Sequence, residues 1–167
     1  YDHLRKNFLS EFNFKTNSDT EVVLNAFIKY GTKCLDKFEG MFAIAIWDKK
    51  LKKLFLARDR LGKKPLHYYL EENIFYFCSE SKPLKKVANE NSSLNKKFLQ
   101  EIVLFGEQSN SETVNNKIYK IVPNTFSIIS LSKSKIKKEN YKYSSIFQFQ
   151  KNKNTSDADL YDALLEA

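Results

Sequence analysis

Few residues of this chain combine the type and the spacing that chemistry needs. In Ser18-Asp19-Thr20-Glu21, Asp19 falls in the first turn of a predicted helix, where the helix dipole favours negative charge. The same carboxylate could also pair with a substrate ammonium, because an ammonium leaving water needs a charged, hydrogen-bonding partner. Arg58-Asp59-Arg60, followed by Gly62, opens a tight turn after a strand pattern. It reads either as an ion-paired turn with Gly62 supplying positive φ, or as a loop beside a site or a partner domain. Ser79-Glu80-Ser81-Lys82 reads as a strand end entering a turn, without an assigned role. Cys34 and Cys78 are too few for a disulfide framework and are not spaced as metal ligands, so both are expected to be reduced, buried small residues. His3 and His67 lack ligand-spaced neighbours, so no metal site is expected. Tyr68, Tyr69, Phe75, Tyr76 and Phe77 read as core and sheet-face aromatics, without the basic interleaving of a base-stacking platform.

These residues must be held by regular elements, and the apolar periodicity says which. Leu4, Phe8 and Leu9 lie at helical spacing in a short opening helix. Ser18 and Glu21 form a capping box that starts a helix with Val23, Ala26, Phe27 and Tyr30 on one face and Gly31 at its end; a short helix over 32–38 follows. The period then drops to 2. Met41 to Trp47 is a strand apolar on both faces, which demands a layered interior, and Leu54 to Ala57 returns as a hairpin after the polar turn at 48–53. Leu66 to Leu70 and Ile74 to Cys78 are two further strands. Ser93 is expected to cap a helix from Leu94 to Phe105, with Phe98, Leu99, Ile102 and Val103 as its buried stripe and Gly106 as its stop. After a polar loop over 107–116, strands are expected at Ile118 to Val122, Phe126 to Leu131 and Ile136 to Tyr143. Residues 151–155 read as a linker, and Ser156 starts a last helix with Leu160, Leu164 and Leu165 on one face, the opening of a second domain.

With 167 residues, 42% hydrophobic and 14% aromatic, the chain has the composition of one globular domain. Its net charge of +8 raises a nucleic-acid partner as an option, but only three of its 28 basic residues are arginines and the lysines are scattered over turns. Solvated turns are the better reading. No apolar run is long enough for a membrane span and the first residues lack a secretory layout, so the cytoplasm is the expected compartment. The chain opens on Tyr1, which is expected of a fragment or a processed product.

Gly40-Met41-Phe42-Ala43-Ile44-Ala45-Ile46-Trp47-Asp48, Ala57-Arg58-Asp59-Arg60-Leu61-Gly62-Lys63-Lys64-Pro65-Leu66-His67-Tyr68-Tyr69 and Cys78-Ser79-Glu80-Ser81-Lys82 follow one another at distances that carry further weight. Together with Ser18 to Glu21 ahead of them and Ile118-Tyr119-Lys120-Ile121-Val122-Pro123 behind, they resemble the glutaminase domain of the glutamine-hydrolysing asparagine synthetases, over roughly Leu4 to Tyr143. The resemblance implies an α+β fold: a four-layer α/β/β/α sandwich of two antiparallel sheets, of the N-terminal-nucleophile amidotransferase type and incomplete at its N-terminus. It implies a glutaminase domain over 1–150, a linker over 151–155 and the first helix of a missing synthetase domain over 156–167.

In the family the segment ahead of the matched region holds the nucleophilic N-terminal cysteine, an arginine for the glutamine carboxylate and the Asn-Gly-Glu run of the oxyanion hole. Neither Cys34 nor Cys78 can replace that nucleophile, which uses its own α-amino group as base. No catalytic residue is therefore expected in this chain. By the same resemblance Asp19 matches the aspartate that pairs with the α-amino group of glutamine. The parent enzyme would hydrolyse glutamine to glutamate and ammonia and use the ammonia to amidate aspartate with ATP. Alternatives are an amidotransferase for a sugar or peptide carboxylate, and a non-catalytic basic binding module. No cofactor is expected in the chain, which lacks any Gly-rich phosphate cradle; ATP and magnesium would belong to the missing synthetase domain. The expected partners are L-glutamine and that domain, with no nucleic acid and no membrane, and a homodimer left open.

Overall fold

The computed structural model describes residues 1–7, 9–71, 73–88, 93–106, 111–132 and 135–143. Helix α1 (Asp2–Asn7) leads to α2 (Asp19–Tyr30) and a 3₁₀ helix (Gly31–Lys37). Strands β1 (Ala43–Asp48), β2 (Lys53–Arg58), β3 (His67–Glu71) and β4 (Ile74–Cys78) follow, then α3 (Ser81–Val87) and α4 (Lys96–Phe105), then β5 (Ile118–Lys120), β6 (Thr125–Ser132) and β7 (Lys135–Lys142). Two antiparallel sheets result, with strand orders β1-β2-β6-β7 and β4-β3-β5.

The alternation along β2 explains the layering. Phe55 and Ala57 face one way and join Phe126 against Val22, Ala26, Leu35 and Phe38 of the helical layer. Leu56, on the opposite face, joins Leu66, Ile121 and Ile129 between the two sheets. The far side of the second sheet presents Tyr69 and Ile118 to Leu84 and Ala88 at the end of α3. Helix, sheet, sheet and helix are thus stacked in that order, which is the α+β sandwich expected.

Several local expectations need correction. The hydroxyl of Ser18 caps α2 by accepting from the Thr20 amide at 3.2 Å, but Glu21 does not reach back to Ser18. Its carboxylate instead accepts from the amides of Lys15 and Thr16 at 2.9 and 2.8 Å and from the Thr16 hydroxyl, because the preceding loop curls over the first turn. Residues 81–87 form α3 and not an extended turn: Pro83 sits in its first turn, where a missing amide costs little, and Leu84 anchors it. Cys34 is buried, whereas Cys78 is only partly so. The linker at 151–155 and the helix at 156–167 lie outside the described residues.

The cap of α4 is Asn95 and not Ser93. Asn95 Oδ1 accepts from the Phe98 amide at 3.0 Å while its Nδ2 donates to Glu112, and Ser93 Oγ accepts from Asn116. Val103, placed in the buried stripe by periodicity, is exposed, since α4 lies at the rim and buries only Phe98. Asn95→Ala is expected to cost about 1 kcal/mol in a urea titration, against less than about half of that for Ser93→Ala.

Candidate functional site

Among the described residues strand β1 borders its sheet and has one neighbour, β2. The Asp59 amide donates to Phe42 O, which turns the backbone of Phe42 and, by alternation, of Ile44 and Ile46 toward β2. The amides and carbonyls of Ala43, Ala45 and Trp47 therefore point to the open edge. Phe42, Ile44 and Ile46 pack into the helical layer, but the side chains of Ala43, Ala45 and Trp47 are exposed on the other face. The strand is apolar on both faces, as the sequence indicates, and only one face is covered.

A cleft of about 660 Å³ runs along this edge. One wall is the N-terminal half of α2, with Asp19, Thr20, Val23 and Leu24; the opposite wall is Lys64, Pro65 and Ser79. Asp19 stands at the exposed start of α2, its Oδ1 3.4 Å from the Thr20 hydroxyl. The cleft is thus an apolar trough with unpaired strand edge, one carboxylate at a helix start and one lysine across from it. Such a set can hold an extended, zwitterionic small molecule, with backbone groups for its polar atoms and Asp19 for an ammonium.

The Lys64-Pro65 wall is fixed by Arg58 and Asp59. They do not form the ion-paired turn that the sequence suggested; each binds the backbone of the same loop. Asp59, 2% exposed, accepts from the amides of Leu61, Lys63 and Lys64 at 3.1, 2.9 and 2.9 Å. Arg58 donates to the carbonyls of Lys64, Ile121 and Gly62 at 2.8, 2.8 and 2.6 Å. Gly62 has φ +66°, and a Cβ there would sit 2.6 Å from Pro123 Cγ, so both backbone conformation and space demand glycine. This loop borders the cleft through Lys64 and Pro65. Burial alone would raise the Asp59 carboxyl, but the amides of Lys64, Lys63 and Leu61 outweigh it and hold the group below its usual value.

Neither cysteine lines the cleft. Burial pushes the Cys34 thiol up to about 12, so it stays protonated and unreactive. His67 Nδ1 lies 3.0 Å from Ser79 O, and burial lowers its pKa, which leaves the ring as a neutral brace for the end of β4. Among the described residues no group of three His, Cys, Asp or Glu side chains could hold a metal ion. No helix among them is long and apolar enough to cross a membrane.

Residues 1–142 match the glutamine amidotransferase domain family. The chain belongs to this family. Among its curated relatives is a putative glutamine-hydrolysing asparagine synthetase of Methanocaldococcus jannaschii, 32% identical over 170 residues, spanning 98% of this chain and 33% of that protein. Asparagine synthetase 3 of Bacillus subtilis is 41% identical over 93 residues, 56% of this chain and 15% of the relative. Asparagine synthetase B of Escherichia coli is 38% identical over 90 residues, 52% of this chain and 16% of the relative. This amidotransferase domain thus spans a third or less of the length of the relatives it matches. A solved structure of glutamine phosphoribosylpyrophosphate amidotransferase from B. subtilis superposes with a TM-score of 0.52 at 18% identity, over 86% of this chain and 26% of the other, which supports the two-sheet fold. Sequence reasoning had singled out Asp19 but no role for Lys64, Pro65 or Ser79; all three lie inside the motifs that carried the resemblance, which was the available signal.

Proposed function

We propose that this domain is the glutamine-binding part of a longer, cytoplasmic glutamine-dependent asparagine synthetase, and that glutamine lies in the β1-edge cleft with its ammonium on Asp19. The observation that carries the reading is the position of Asp19: a carboxylate at the mouth of an apolar trough whose floor is an unpaired strand edge. Residues outside this chain would supply the nucleophile and the oxyanion donors, and a strand from them would cover Ala43, Ala45 and Trp47. ATP and magnesium would serve a synthetase domain that receives the ammonia and amidates aspartate. Residues 1–150 would then be the glutaminase domain, 151–155 its linker and 156–167 the start of the synthetase domain.

The test compares two polypeptides. Residues 1–167 alone should release no ammonia from glutamine above the buffer rate, because an internal cysteine has no free α-amine to act as its base. The full-length chain should form glutamate and, with aspartate and ATP, asparagine. Ammonia release by residues 1–167 that survives the change of Cys34 and Cys78 to Ser would overturn this assignment of roles.

A further inference from the structure

A second cavity, of about 420 Å³, opens between the sheets on the side away from β1, where β7 borders the four-stranded sheet. Its polar lining includes Tyr68, Ser111, Lys138, Asn140 and Lys142, and no carboxylate. Ile136 on β7 contributes to the inter-sheet core, and Lys138, Asn140 and Lys142 continue the same face of the strand at intervals of two residues. Two cations and an amide thus replace the apolar residues that the pleat would otherwise direct inward.

Lys138 is the unusual member. Its ammonium is half-buried, lies 4.1 Å from the Tyr68 ring centroid and donates to the Tyr68 hydroxyl at 3.0 Å. Among the described residues no carboxylate pairs with it, in contrast to Lys29, Lys97 and Lys137. Burial pulls its pKa down to about 8, the signature of an ammonium removed from water without compensation. Among the described residues two donors beside it have capacity to spare. Tyr68, pushed up to about 12 by burial, keeps its hydrogen, and its oxygen already accepts from Lys138, so the hydrogen is available to another acceptor. Asn140 spends its Oδ1 on the Ser127 hydroxyl at 2.6 Å, which leaves Nδ2 to donate elsewhere. A charge drawn out of water is stable when a counter-charge and hydrogen-bond acceptors meet it; here the Tyr68 hydroxyl is one acceptor, no carboxylate among the described residues supplies the counter-charge, and the cavity leaves room for one.

We propose that the inter-sheet cavity at Lys138 binds a small oxyanion, a phosphate or a carboxylate group, through Lys138, the Tyr68 hydroxyl and the Asn140 amide. The ligand accepts from the remaining ammonium hydrogens of Lys138, from the Tyr68 hydroxyl and from the Asn140 amide, and neutralises an ammonium that has no counter-ion among the described residues. This site is separate from the β1-edge cleft and does not depend on the role of Asp19.

The experiment is amine footprinting of the full chain with N-hydroxysuccinimidyl acetate at one fixed pH, read by peptide mass spectrometry. Inorganic phosphate and succinate are titrated in parallel at constant ionic strength. Lys137 is the internal control, since it is exposed, paired with Glu139 and on the other face of the same strand. A bound anion should slow acetylation of Lys138 saturably and roughly tenfold, the effect of raising its pKa by about one unit, with Lys137 unchanged. Protection by phosphate alone assigns a phosphate ligand, and protection by succinate alone a carboxylate; protection by both supports the shared oxyanion site. No protection by either, or equal slowing of Lys137 and Lys138, would overturn the proposal and leave Lys138 as an inward charge that keeps the β7 edge from pairing with another chain.

Discussion

Asp19→Asn in the full-length enzyme will weaken the use of glutamine by about 2–3 kcal/mol, roughly 30- to 160-fold in kcat/KM, and leave ammonia-dependent synthesis within about twofold of the parent. The amide keeps the size and one acceptor of the carboxylate but removes the charge that an ammonium needs on leaving water. The lower part of the range for a stripped ion pair applies because Asp19 stands at an exposed cleft mouth. On the proposed function ammonia bypasses the glutamine site, so its use reports only on the acceptor chemistry. Ser18→Ala is the control for the local structure: it removes the hydroxyl that accepts from the Thr20 amide and should cost about 1 kcal/mol of stability with glutamine recognition retained. Assays of both nitrogen donors with each variant decide the matter. Equal proportional loss with glutamine and with ammonia would make Asp19 a helix-start residue and nothing more.

The fold was legible where a single local rule decides and obscure where tertiary contacts do. The period-2 pattern of β1 and β2, the Gly31 and Gly106 stops and the three C-terminal strands stand where alternation and glycine placement put them. Helix α3 was missed because a strand end followed by Ser81, Lys82 and Pro83 carries the same turn signal as a helix start, and only the packing of Leu84 and Ala88 on Tyr69 separates the two. Ser93 and Asn95 are both good caps; the choice between them comes from Glu112, which holds the Asn95 amide from a distant loop. At the candidate site, Asp19 was legible through its helix start and its motif. Lys64, Pro65 and Ser79 were not, because their place opposite α2 follows from how two sheets and a loop are stacked, which no local pattern encodes. The Arg58-Asp59 pair illustrates the limit most directly. Adjacent opposite charges suggest an ion pair, yet consecutive residues at the end of β2 point to opposite faces, and each finds backbone partners there instead.

That pair also sets the largest expected effect on stability. Asp59→Asn will destabilise the domain by about 2–4 kcal/mol at neutral pH, measured from urea unfolding midpoints. The side chain is 2% exposed and its two oxygens accept three backbone amides. An asparagine offers one acceptor oxygen and turns an NH₂ group toward an amide that then has no acceptor, so a buried donor is left unsatisfied. The pH dependence distinguishes this from simple loss of packing. The Asp59 carboxyl titrates below its ordinary value of 3.8 in the folded chain, so its contribution is fully present above that value and is lost as pH falls toward the folded pKa. The wild type should therefore lose stability steeply on acidification below about pH 4, and Asp59→Asn should lack that part of the slope. Because the three amides belong to the loop that carries Lys64 and Pro65 to the cleft, the substitution should also raise the KM for glutamine in the full-length enzyme, with ammonia-dependent synthesis spared in whatever fraction folds. A variant within about half a kcal/mol of wild type at neutral pH, with an unchanged acid slope, would show that water can replace the carboxylate and that Arg58 alone holds the loop in place.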